Sequence, residues 1–69
     1  MSWGQNRYNK KSAKKLGWEP SWFEADDFND NLVENIKEFQ KRHGLQQDGL
    51  CGPMTFRRIM SEREAAEEL

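Results

Sequence analysis

The sequence predicts an all-α fold: a compact three-helix bundle with glycine-rich turns, made of two helix–loop half-repeats and a closing helix. Three observations carry this reading. Between Asp30 and His43, Leu32, Val33, Ile36 and Phe39 fall on one helical face. Gly17 and Gly44 each end a helical pattern, and Gly52-Pro53 opens another. Nowhere do apolar and polar residues alternate as a half-buried strand requires. At 69 residues the chain makes one small domain, burying only about 60% of its unfolded surface. One third of it is charged, yet three tryptophans and four phenylalanines supply bulky core material, which argues against wholesale disorder.

The first predicted helix is short, from Lys10 to Leu16, with Ala13 and Leu16 inward, Tyr8 leading in and Gly17 as the stop. Seven residues do not hold a helix alone, so it must dock, and Trp18 is the expected anchor. Residues 1–9 read as a loose N-terminal arm carrying Trp3, residues 10–64 as the domain, and residues 65–69 as a linker or chain end. The second helix starts at Asn29 or Asp30, either of which can accept from an exposed backbone N–H. It ends at Gly44, suited to the left-handed conformation, with Leu45 as the apolar contact beyond. The third begins at Pro53, whose missing N–H costs nothing in a first turn. There Thr55 is placed to bond back towards the helix start, Phe56, Ile59 and Met60 face inward, and Arg57, Arg58 and Glu62 face water.

The two stops echo each other, Leu16-Gly17-Trp18 against His43-Gly44-Leu45, and the two starts echo through equal seven-residue spacings, Asn29 to Ile36 and Gly52 to Ile59. Asn29 stands where the second half has Gly52, as expected if both must visit positive φ. The first loop is longer by four residues and contains Pro20, Trp22 and Phe23. Charge is also divided. Arg7, Lys10, Lys11, Lys14 and Lys15 occupy the first fifteen residues without an acid, and Glu19, Glu24, Asp26, Asp27, Asp30 and Glu34 the next twenty without a base. The basic stretch either contacts phosphates or an anionic wall polymer, or complements the acidic loop as a solvated face.

The segment from Phe39 to Phe56 carries F-Q-x3-G-L-x2-D-G-x2-G-P-x-T-F. It resembles the peptidoglycan-binding module, the three-helix domain found beside cell-wall hydrolases of bacteria and their phages, over Leu32 to Ile59. The resemblance implies a shallow groove between loops and helix starts that holds glycan or stem peptide. The first half departs from the family: Lys10 to Leu16 lacks a Leu-Gln pair, and Asp26-Asp27 and Asn29 stand in place of Asp-Gly and Gly.

Candidate ligand-binding residues are Trp22, Asp48, Gly49, Thr55 and Arg57. Trp22 can stack on a sugar face or serve as core. Asp48 can fold onto following N–H groups as an Asx turn, and Gly49 and Gly52 free the turn backbone. These residues, with Thr55, either contact ligand or only shape the turn and cap. The N–H groups at the start of the third helix could receive a stem-peptide carboxylate. Catalysis is not expected. His43 is the single histidine, which denies a paired-His zinc site, and at a helix end it complements the dipole. Cys51, the single cysteine, excludes an internal disulfide and reads as a small buried hydrophobe. Glu24 with Asp26 or Asp27 could be imagined as a glycosidase pair, but so short a chain leaves little room for a sugar cleft.

The expected function is therefore non-catalytic binding of peptidoglycan, without cofactor or metal. The module would act as a monomer that targets an attached catalytic domain, as in a phage lysin. A protein-docking module on the same fold is the alternative. A helix-turn-helix DNA binder is disfavoured by the long Gly44–Gly52 connection and the net charge of −1. No apolar run reaches membrane-span length and none resembles a secretory leader, so the expectation is synthesis in the cytoplasm and action at the bacterial wall.

Overall fold

The computed structural model describes residues 3–67. It has three helices, α1 (Trp3–Leu16), α2 (Asp30–Arg42) and α3 (Pro53–Glu67), with a 3₁₀ turn at Pro20–Phe23 in the first loop. No strand occurs among the described residues, so the fold is the all-α three-helix arrangement that the periodicity predicts. None of these helices is long and apolar enough to cross a membrane.

α2 follows its pattern closely. Leu32, Val33 and Ile36 are wholly buried and Phe39 nearly so. Asn29, rather than Asp30, is the N-cap: its side chain accepts from Leu32 N at 3.0 Å. At the other end the Leu45 N–H donates to Gln40 O at 2.8 Å and the Gly44 N–H to Lys41 O at 3.2 Å. With Gly44 at φ +67° this is the pair of bonds of a Schellman stop. α3 likewise buries Ile59, half-buries Phe56 and Met60, and leaves Arg57, Arg58 and Glu62 exposed.

α1 is longer than its sequence pattern suggests. It begins at Trp3, seven residues before the expected start, so residues 3–9 are helix and not a loose arm. Its inner face is polar, which is why apolar periodicity missed it. Asn9, wholly buried, donates from Nδ2 to Gly49 O at 3.0 Å and accepts at Oδ1 from Cys51 N at 2.8 Å. Ser12 Oγ donates to Cys51 O and accepts from Trp18 Nε1. These bonds satisfy loop backbone that would otherwise be stranded in the interior. Tyr8, expected to lead inward, is 42% exposed. At the far end α3 continues through Glu67, so residues 65–67, expected as a linker, are helical and exposed.

The apolar core lies where the first loop folds back on α2. Trp18 meets Phe23 edge-on at 5.5 Å, and Phe23 meets Phe39 at the same distance and an 87° angle. Such edge-to-face pairs add about 0.5–1.5 kcal/mol each beyond the area they bury. Leu32, Ile36, Cys51 and Ile59 complete the cluster, with Trp22, Phe28 and Phe56 packed on it. Trp18 is thus the anchor expected of it.

The shared helix starts rest on a different cause from the one expected. Asn29 has φ −142°, and Gly52 is not among the positive-φ glycines, which are Gly17, Gly44 and Gly49. Both residues instead hold the position just before a helix. The Val33 N–H donates to Asn29 O in one half and the Phe56 N–H to Gly52 O in the other. At Gly52 a Cβ would stand 3.2 Å from the Tyr8 hydroxyl, a tight contact that a small shift of that half-exposed side chain would have to relieve.

Candidate functional site

The loop between α2 and α3 is organised around one buried amide. Gln40 is 1% exposed and spends both ends of its side chain on this loop. Its Nε2 lies at donor distance from Asp48 Oδ1 (2.9 Å), Leu50 O (3.1 Å) and Thr55 Oγ1 (3.1 Å), and its Oε1 accepts from Gly49 N at 3.0 Å. Asp48 Oδ1 also accepts from Leu50 N at 3.0 Å, the Asx turn anticipated for it. Thr55 does not bond back to its own helix start as expected. Its hydroxyl is buried against Gln40, because α3 packs that side on α2. Gly49 has φ +73°, and a Cβ there would come within 2.8 Å of Val33 Cγ1.

Two open grooves flank this framework. One, of about 380 Å³, runs between the 3₁₀ turn, α2 and α3, with Trp22, Glu38, Arg42 and Glu62 among its walls. The other, of about 360 Å³, lies over the α2–α3 loop and is walled by Tyr8, Leu45, Asp48, Pro53, Met54 and Thr55. Met54 is 69% exposed, and the N–H groups that open α3 point to this end with no preceding carbonyl in the helix to accept them.

The five residues singled out in the sequence do not form one site. Trp22 belongs to the first groove, where it stacks near Phe56 (6.1 Å, 18°) and the Arg63 guanidinium lies 4.3 Å over its ring. Its indole is therefore already engaged by α3. Asp48 and Thr55 wall the second groove, Gly49 is buried beneath it, and Arg57 is exposed on α3 outside the walls of either. Sequence reasoning overlooked Tyr8 and Met54 as groove walls and Gln40 and Asn9 as the supports of the loop. Gln40 was legible, since helical geometry puts it on the arc of α2 defined by Val33, Ile36 and Phe39. Asn9 was legible only indirectly. It shares with Gln5, Ser12, Ala13 and Leu16 the arc of α1 that carries no charge.

Burial pushes the Cys51 thiol from an ordinary 9.0 up to about 12, so it stays neutral and inaccessible. His43 caps α2 and pairs with Glu62 at 3.1 Å, tying α2 to α3. Among the described residues no three His, Cys, Asp or Glu side chains converge to hold a metal ion. Neither the curated proteins nor the solved structures give a match to the chain. Residues 14–59, two thirds of the chain, match a family model described as a peptidoglycan binding domain.

Proposed function

Because the chain belongs to the peptidoglycan binding domain family, we propose that it holds the stem peptide of peptidoglycan in the groove over the α2–α3 loop. The family is one of binding modules, and the match over residues 14–59 is the observation that carries the reading, since it spans that loop, all of α2 and the start of α3, and so every wall of the groove named above except Tyr8. The groove supplies an apolar floor from Tyr8, Leu45, Pro53 and Met54. The α3 N–H groups supply a positive end for a peptide carboxylate. Asp48, Gly49 and Thr55 then act by shaping the groove, and Trp22 and Arg57 lie apart from it. Such a module concentrates an attached cell-wall hydrolase on its substrate, as in a phage lysin, and modest affinity suffices when two sites are linked.

The test is retention on purified insoluble peptidoglycan at low and high salt. Retention that survives salt and is lost in Tyr8→Ala and Met54→Lys, but kept in Trp22→Ala, supports this groove. Loss in Trp22→Ala alone would move the ligand to the other groove. No retention at either salt would leave the fold in place and turn the role to protein docking.

A further inference from the structure

The groove over the α2–α3 loop does not end at Tyr8. Beyond that ring a second recess, of about 370 Å³, is walled by Tyr8, Lys11, Ser12, Lys15, Leu16 and Pro53. Tyr8 and Pro53 are walls of both, so the two join into one trough that crosses from the start of α3 onto the flank of α1. Tyr8 marks the crossing, with its hydroxyl beside Gly52, the residue before α3.

The two ends of the trough differ in chemistry. The loop end has apolar walls and the unpaired N–H groups of the α3 start. The one acid among its walls, Asp48, has Oδ1 turned to Gln40 Nε2 and the Leu50 N–H. The α1 end has Leu16 and two exposed lysines, with no acid among its walls. Neither ion pair found among the described residues, Lys37–Glu34 and His43–Glu62, involves Lys11 or Lys15. Lys15 stands in the last turn of α1, where the helix dipole favours a cation, but Lys11 does not. At 100° per residue both share one flank of α1 with Tyr8, whereas Arg7 and Lys10 turn to a separate recess beside Trp3 and Phe28.

We propose that the lysine end is a second carboxylate subsite of the stem-peptide groove. The occupant is an acidic peptide, with its C-terminal carboxylate at the start of α3, its backbone over Tyr8 and Pro53, and an internal carboxylate between Lys11 and Lys15. Lys11 and Lys15 lie about 5 and 10 Å along α1 from Tyr8, the span of about two or three extended residues. The stem peptide has a carboxylate at that remove: γ-linkage of its glutamyl residue leaves the α-carboxylate free, two residues before the terminal alanine of the tetrapeptide. The assignment rests on the function proposed above and adds to it a preference for the free acid over the amide at that residue. A chain of phosphates is a poorer occupant. It calls for a run of cations, and the trough has two, at one end only, among Tyr8, Leu16 and Pro53. Such a chain would draw equally on Arg7 and Lys10, on the other flank.

The experiment titrates the 69-residue chain with L-Ala-γ-D-Glu-L-Lys-D-Ala and with its isoglutamine counterpart, which lacks only the internal charge, and follows amide NMR shifts. The free acid should bind about 3- to 10-fold more tightly, as one carboxylate on two exposed lysines allows, and high salt should shrink the advantage. Lys11→Gln/Lys15→Gln should abolish that advantage while leaving the affinity for the amidated peptide unchanged, so that the two losses do not add. Arg7→Gln/Lys10→Gln should keep it. Circular dichroism confirms that each variant keeps its helices. An advantage that survives in Lys11→Gln/Lys15→Gln would overturn the proposal. So would one that disappears in Arg7→Gln/Lys10→Gln, which would give the ligand to the basic face of α1 as a whole. Equal affinity of the parent for the two peptides, with both weakened by Met54→Ala, would leave the groove in place and remove this subsite alone. Binding of neither peptide by the parent would overturn the proposed function and this inference together.

Discussion

The two loops of this domain occupy equivalent places between helices and are held by opposite means. The first, between Gly17 and Asn29, is packed: Trp18, Phe23 and Phe28 pack into the aromatic core around Phe39, and its polar ties to the helices are side-chain bonds, Asn35 Nδ2 to Phe23 O at 2.8 Å and Trp18 Nε1 to Ser12 Oγ at 3.1 Å. The second, between Gly44 and Gly52, is bonded: Gln40, Asn9 and Ser12 satisfy its backbone from two helices, and Cys51 is its one wholly buried side chain. An aromatic loop can tolerate the loss of one hydrogen bond because its stabilisation is spread over area. A loop whose buried N–H and C=O groups depend on a few amides cannot, because each stranded group carries its full desolvation cost. The bonded loop is also the one that presents the proposed groove, as expected if a recognition surface must hold its shape.

This contrast can be broken most directly at Gly49. Gly49→Val combines a β-branched residue at positive φ with a Cβ 2.8 Å from Val33 Cγ1, and should cost about 3–5 kcal/mol. On so small a domain that lowers the melting temperature by about 15 °C or more, and unchanged melting would show that the turn can relax. A paired measurement sharpens the comparison. Asn9→Leu strands Gly49 O and Cys51 N inside the protein and should cost about 2–4 kcal/mol. Asn35→Leu removes the half-buried tie of the aromatic loop and should cost about 1 kcal/mol. Equal losses in urea unfolding would erase the distinction between the loops.

A smaller effect follows from pH. With the Cys51 thiol raised from 9.0 to about 12 in the folded state, the unfolded chain loses its proton first. Stability from this group is complete below pH 9 and drains away as pH rises from 9 towards 12, at up to about 1.4 kcal/mol per unit. Between pH 8 and 10.5 the parent should lose on the order of 1–2 kcal/mol more than Cys51→Ala; parallel pH curves would mean that the thiol reaches solvent. The smallest change concerns the aromatic loop. Glu24 closes the 3₁₀ turn at φ +59°, so Glu24→Gly should raise stability by about 0.5–1 kcal/mol. A lower melting temperature would reveal a role for the Glu24 side chain.

Much of the scaffold was legible because it depends on local chemistry. The periodicity from Leu32 to Phe39, the stop at Gly44-Leu45, the start at Pro53 and the Asx turn at Asp48 each involve residues a few positions apart. The site was less legible. Trp22 suggested a sugar platform because a half-exposed tryptophan in a loop is ambiguous until its neighbours are known, and Phe56 and Arg63, the neighbours that decide it, lie more than thirty positions away. Tyr8 reached the groove only because α1 extends to Trp3, which no pattern within residues 3–9 announces.

The amino-acid sequence by itself determined three helices, their order, two glycine stops and an aromatic core, because 3.6-residue periodicity, capping and positive φ are properties of short segments. It also determined that Lys10, Lys11, Lys14 and Lys15 lie together, since bases three and four apart on a helix share a face, whereas Arg7 joins them only because α1 extends to Trp3. Only the tertiary structure decided that Asn9, Ser12 and Gln40 are interior, and that Thr55 faces Gln40 and not its own helix start. A polar side chain can be buried only where partners for its hydrogen bonds exist, and for Asn9 and Ser12 those partners are backbone groups some forty residues away.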